Sequence, residues 1–221
     1  MDSLAETLER FNRKERNLLI RAVLGHKENP LRLSDRFRQR VTEELGFATK
    51  IPADAWWSTD YHIDWLAGAL AVFMKGETAP GIYSNERRLV EGNQEDIDLV
   101  IATQHHLILI EAKAYRSFGN AQIASKLERL NLLHDFYQEL AAKADRVVCF
   151  HLLLLSPKRP KLDVPWPTWA CKDSKVPSEV AWIDLPLGDA TPAILEVTRC
   201  DELGNRTAAG SSWRYRNTNP R

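Results

Sequence analysis

Cysteine is scarce in this chain. Cys149, Cys171 and Cys200 stand far apart, their number is odd, and no CxxC pair occurs. That argues against a disulfide framework or a structural zinc site and points to a reducing, cytoplasmic setting. Net charge is also missing, since 30 Lys and Arg balance 30 Asp and Glu. A large non-specific footprint on nucleic acid is thereby disfavoured, though a local basic cleft facing an acidic site would cancel in the same sum. Long hydrophobic runs are lacking too. The longest, Val147 to Leu155, is broken by His151 and falls well short of the roughly 20 residues that span a bilayer. No membrane association is expected, and the opening MDSLAETLERF has no apolar signal core. No internal repeat is visible.

What remains is an ordinary globular composition, 44% hydrophobic and 27% charged over 221 residues. Three parts are expected: a helical N-terminal segment (1–57), an α/β domain (58–200) and a polar, basic, partly disordered tail (201–221). Apolar residues at helical spacing predict a helix over Leu4 to Leu24, stopped by Gly25. A second helix, capped by Ser34 and Asp35, runs to Leu45 and ends at Gly46. Ile51 to Ser58 reads as a break. A third helix, capped by Thr59 or Asp60, buries Ile63, Leu66, Leu70 and Phe73 and ends at Gly76. A short strand is expected near Arg87 to Val90.

Two β-rich runs follow, DIDLVIA (96–102) and LILIEA (107–112), joined by a short polar stretch that predicts a hairpin. A long helix over Ala121 to about Ala144 and a strand over Arg146 to Leu155 come next. The near-continuous apolar character of that strand implies cover on both faces. Ser156 to Pro177 reads as a long loop, Val180 to Asp184 as a last strand, and a short helix follows Thr191.

The hairpin carries the chemistry. Residues two apart on a strand share a face, so Glu111 and Lys113 point the same way. With the hairpin symmetric about the Gln104–His105 bond, Asp98 lies opposite Glu111, and facing Cβ atoms are about 5 Å apart. Two carboxylates and an ammonium then converge on an otherwise apolar hairpin. Like charges so placed repel, and a divalent cation between them removes the repulsion. Magnesium suits such a site, because it takes oxygen ligands, keeps several waters and needs only one or two carboxylates. A bound metal can acidify water and neutralise charge on a phosphate, while Lys113 holds the water or the phosphate. The bland alternative for the three residues is a surface salt-bridge cluster on a half-exposed sheet.

The run IDLVI…LILIEAK resembles the D…ExK signature of the PD-(D/E)xK nuclease superfamily. The resemblance covers about the middle half of the chain. It implies a restriction-endonuclease-like core, in the order helix, three strands, helix, strand over residues 59 to 155, with a mixed sheet flanked by helices. By the same resemblance Asp98 and Glu111 bind Mg2+ (or Mn2+) with the backbone carbonyl of Ala112, Lys113 serves catalysis and Gln122 assists from the following helix. Ile97 stands where many members have proline, and Lys126 where some have the tyrosine of QxxxY. For the glutamate that many members carry on the first core helix, Asp64 is the nearest candidate, ahead of Glu77 and Glu86. The implied activity is metal-dependent hydrolysis of nucleic-acid phosphodiesters, DNA before RNA, and a homodimer if two strands are cut as a pair. The alternative is an inactive nuclease-like domain that binds nucleic acid or a protein partner.

Other residues are expected to do less. Lys126 reads as solvated or substrate-facing, and Lys158, Arg159 and Lys161 as a solvated run or as phosphate contacts. Trp166 and Trp169 pack, or stack on bases if their loop borders the cleft. His105 and His106 read as an exposed turn, Trp56 and Trp57 as packing.

Overall fold

A computed structural model describes residues 2–76, 81–92, 95–114, 118–171, 179–185 and 194–218. The protein is α/β, built on a mixed five-stranded sheet of order β1-β2-β3-β4-β5. The strands are β1 (Trp56–His62), β2 (Asp96–Ala102), β3 (His106–Ala112), β4 (Cys149–Ser156) and β5 (Ala181–Asp184). The first three form an antiparallel meander, and β4 and β5 continue parallel to β3.

Helices cover both faces. Leu4 and Leu8 of α1 (Leu4–Phe11), Leu66 and Leu70 of α4 (Ile63–Lys75) and Leu130 and Leu133 of α5 (Asn120–Ala141) are buried with Leu107, Leu109, Leu152 and Leu154 of the sheet. On the other face Val41 of α3 (Asp35–Glu44) and Ile51 join Ile101, Ile108, Ile110, Leu153 and Ile183. β4 therefore buries alternate residues on opposite sides, as its nearly continuous apolar run predicted. α1 and α4 meet closely: a Cβ on Gly68 would lie 2.6 Å from the Phe11 ring, so any larger residue at that crossing would have to displace the ring.

Local signals explain several elements. Ser3 caps α1 in a capping box with Glu6, and Ser34 caps α3 by accepting from Phe37 N. Gly25, Gly46 and Gly76 all follow helices with positive φ, as expected of stop residues.

The structure corrects other expectations. The run from Leu4 to Leu24 is two helices, α1 and α2 (Glu15–Val23). Asn12 leaves the helix because its side chain is buried, donating to Ser58 Oγ (2.9 Å) and accepting from Lys14 N (3.3 Å). The break read at Ile51 to Ser58 holds through Ala55, after which β1 takes its last three residues and displaces the helix cap at Thr59 or Asp60. Aromatic and β-branched residues in WWSTDYH suit an edge strand paired with β2, and α4 begins only at Ile63. Arg87 to Val90 is a turn closed by Asn85, which bonds both the N–H and the carbonyl of Val90. From β1 to β4 the order among the described residues is thus strand, helix, two strands, helix, strand, so one strand precedes the first core helix where the resemblance implied that all three follow it. Thr191 lies outside the described residues, and Ile194–Cys200 is a strand, β6, rather than a helix. It pairs with β7 (Ser212–Thr218), so the segment read as a tail contributes half of a two-stranded sheet.

Candidate functional site

The β2–β3 ladder pairs Leu99 with Ile110 and Ala102 with Leu107, which is the symmetry about Gln104–His105 expected from sequence. One step beyond Leu99 the backbone ladder stops. There the Asp98 carboxylate, through Oδ2, accepts the Ala112 N–H at 2.7 Å. A side chain has replaced a main-chain partner, so the strand ends part at this point. Lys113 N donates instead to Leu155 O of β4 at 2.9 Å. The ends of β2, β3 and β4 thus bring Asp98, Glu111, Ala112 and Lys113 together.

Glu111 is the unusual group. It is 3% exposed and sits among Ile123, Leu127, Leu130, Leu152 and Leu154, beside a void of about 10 Å³. Burial pushes its carboxyl up to about 7, with nearby Asp98 adding to the rise while Lys126 and Lys113 oppose it. Lys126, one turn after the exposed Gln122 on α5, reaches Glu111 Oε1 at 2.8 Å and the Asp96 carbonyl at 2.7 Å. It is neither solvated nor turned to the surface, with a side chain only 12% exposed. Lys113 is half-buried, and its ammonium forms no hydrogen bond or ion pair among the described residues.

Asp96 is a site neighbour that sequence reasoning missed. It lies two residues before Asp98, a spacing that could have pointed to it. Lys14 Nζ bonds its Oδ2, and His62 Nδ1 lies 3.1 Å from Oδ1. That second contact has ion-pair distance without hydrogen-bond alignment, and Oδ1 is left unsatisfied. Lys14 and His62 carried no signal, because only folding brings α2 and β1 to this edge.

Asp64 is engaged by other partners. It pairs with buried Arg129 at 2.7 Å and accepts from Gly92 N at 2.8 Å, in a cluster with Glu95. Glu86 is exposed in the Asn85 turn, and Glu77 lies outside the described residues. No group of three or more His, Cys, Asp or Glu side chains suited to a metal occurs among the described residues. The donor set at the hairpin still fits a hard cation that needs only one or two carboxylates. Asp98 uses one oxygen on Ala112 N, and the buried Glu111 charge is incompletely compensated, as its raised proton affinity shows.

Lys158, Arg159 and Lys161 are exposed in the loop after β4, and Arg159 pairs with Glu179 at 3.2 Å. Trp169 packs, stacking on His134 and donating from Nε1 to Asn131. Trp56 and Trp57 pack as expected, donating to Glu9 and to the Leu31 carbonyl. His105 is exposed, but His106 is not a turn residue. It opens β3, stacks on Phe47 and lies 3.0 Å from His151 Nε2. Burial lowers the pKa of both histidines, that of His151 to about 4, so the pair is neutral near pH 7.

Compared with known protein families, curated proteins and solved structures, the chain matches none.

Proposed function

We propose that this protein is a divalent-metal-dependent nuclease with a restriction-endonuclease-like core. The carrying observation is Glu111, a carboxylate buried beside Asp98 and between two lysines where strands β2, β3 and β4 end. A buried charge is costly to desolvate even when a partner such as Lys126 offsets part of the cost, and carboxyls perturbed by burial beside a second carboxylate cluster at functional sites. Asp98, Glu111 and the Ala112 carbonyl would hold Mg2+ or Mn2+, and the cation would supply charge neutralisation at a phosphate and acidification of water. Lys113, whose ammonium forms no hydrogen bond or ion pair among the described residues, would bind a phosphate oxygen and offset charge that develops there. Lys126 fixes Glu111 from α5, while Gln122 stands one helical turn away on the same stripe.

A second reading, a nuclease-like domain that binds without cutting, is favoured by the Lys126–Glu111 ion pair, which already occupies one carboxylate oxygen. The two part in one experiment. Single- and double-stranded DNA and RNA are incubated with protein and Mg2+, Mn2+ or EDTA, beside Asp98→Ala and Glu111→Ala. Metal-dependent cleavage that falls by several orders of magnitude in both variants is expected. Cleavage by purified Glu111→Ala at the wild-type rate refutes the assignment, and metal binding without cleavage of any substrate supports the second reading.

A further inference from the structure

A second feature lies along the same row of the sheet. Glu111 pairs with Leu154, and Leu154 with Trp182. Leu154 and Trp182 pack into the cluster under α5, and Glu111 borders Leu154 there, so all three lie on one face. Neighbouring strands are about 4.8 Å apart, which puts Trp182 about 10 Å from Glu111, a span of roughly three nucleotides at stacked spacing. The Trp182 indole is anchored by Nε1, which donates to Ser156 Oγ at 2.9 Å, and its backbone N–H donates to the Glu44 carboxylate at 3.1 Å. It lines a cleft of about 200 Å³ with Trp166, Arg159, Lys161, Leu162 and Glu179. That volume is below the 300–1,000 Å³ of pockets that enclose whole small ligands, and suits one ring system.

We infer that this cleft binds an unpaired base of a single-stranded nucleic acid, and so directs the site at Glu111 toward single strands or frayed ends. Indole faces stack on any base, but a base within a duplex is already stacked on both sides. Arg159 and Lys161 supply charge for the flanking phosphates. The Arg159–Glu179 pair does not block this role, since both side chains are more than half exposed and such pairs hold weakly. The inference rests on the nuclease reading for its consequence, but the binding it predicts needs neither metal nor turnover.

The test is fluorescence anisotropy with Glu111→Ala protein in EDTA, so that binding is read apart from cleavage. The probes are labelled oligothymidylate, oligouridylate and a DNA duplex. Trp166→Ala should weaken oligothymidylate or oligouridylate binding about tenfold or more, within the range found for removing one stacked base, and leave duplex binding unchanged. The two single-stranded arms separate DNA from RNA. Because Trp166 also packs against the core, exposed Lys161→Glu is the second variant, and it should weaken single-strand binding without lowering Tm. Unchanged single-strand affinity in both variants, equal weakening for the duplex, or no binding of either single strand overturns the inference. Weakening as expected in a protein that never cleaves leaves it standing and refutes the nuclease reading.

Discussion

Glu111→Gln isolates the cost of the prepared site without any knowledge of substrate. In the folded protein the Glu111 carboxyl is raised from 4.5 to about 7. Below pH 4.5 it is protonated in both folded and unfolded chains and contributes no pH dependence. As pH rises, the unfolded chain ionises first and the folded state binds the extra proton, so stability falls until pH passes about 7 and is flat above. At 1.36 kcal/mol per unit the full loss is about 3 kcal/mol. The favourable Lys126 and Lys113 interactions are already contained in that net shift. Gln resembles the protonated carboxyl in shape and cannot ionise, so the variant escapes the loss. In EDTA it should exceed wild type by about 1–3 kcal/mol at pH 8, and the difference should shrink toward zero near pH 4.5. For a chain of this size that corresponds to a Tm gain of about 2–4 °C per kcal/mol. Adding millimolar Mg2+ at pH 8 should narrow or reverse the difference, because wild type gains binding free energy that the variant lacks. The assay is paired thermal and urea melts across pH 4.5 to 8, with EDTA and with Mg2+. A variant less stable than wild type at pH 8 in EDTA, or a difference that does not change with pH, would refute the reasoning and favour a structural Lys126–Glu111 salt bridge.

Two further outcomes separate the roles of neighbouring residues. Lys113→Met should leave calorimetric Mg2+ or Ca2+ binding measurable while turnover falls, and a loss of metal affinity as large as that in Asp98→Ala contradicts the role given to Lys113. Asp64→Asn should destabilise the fold by about 1–3 kcal/mol through buried Arg129, which keeps Glu95 as a partner, and should leave the metal affinity of the hairpin unchanged; weakened metal binding would return Asp64 to the site.

The hairpin was legible because its information is local. Alternation, a short polar turn and a two-residue period fix which side chains share a face, and the register of β2 on β3 followed from counting. The helix stops at Gly25, Gly46 and Gly76 were equally local, since each needs only one residue's tolerance of positive φ. Fold class followed from the same patterns. Tertiary structure decided the rest. Asn12 divides a continuous helical pattern because Ser58, 46 residues away, offers its side chain a buried partner. WWSTDYH becomes an edge strand because β2 presents an open ladder to it. Lys126 could have been a surface lysine on any amphipathic helix, and became the partner of Glu111 only when α5 packed across the sheet. Asp64, placed on the first core helix where a ligand was expected, was drawn to Arg129 by the charge of a residue on α5. Local periodicity specifies which face a side chain occupies, but which charges meet depends on long-range packing, and Coulomb partners are chosen by distance in space rather than along the chain.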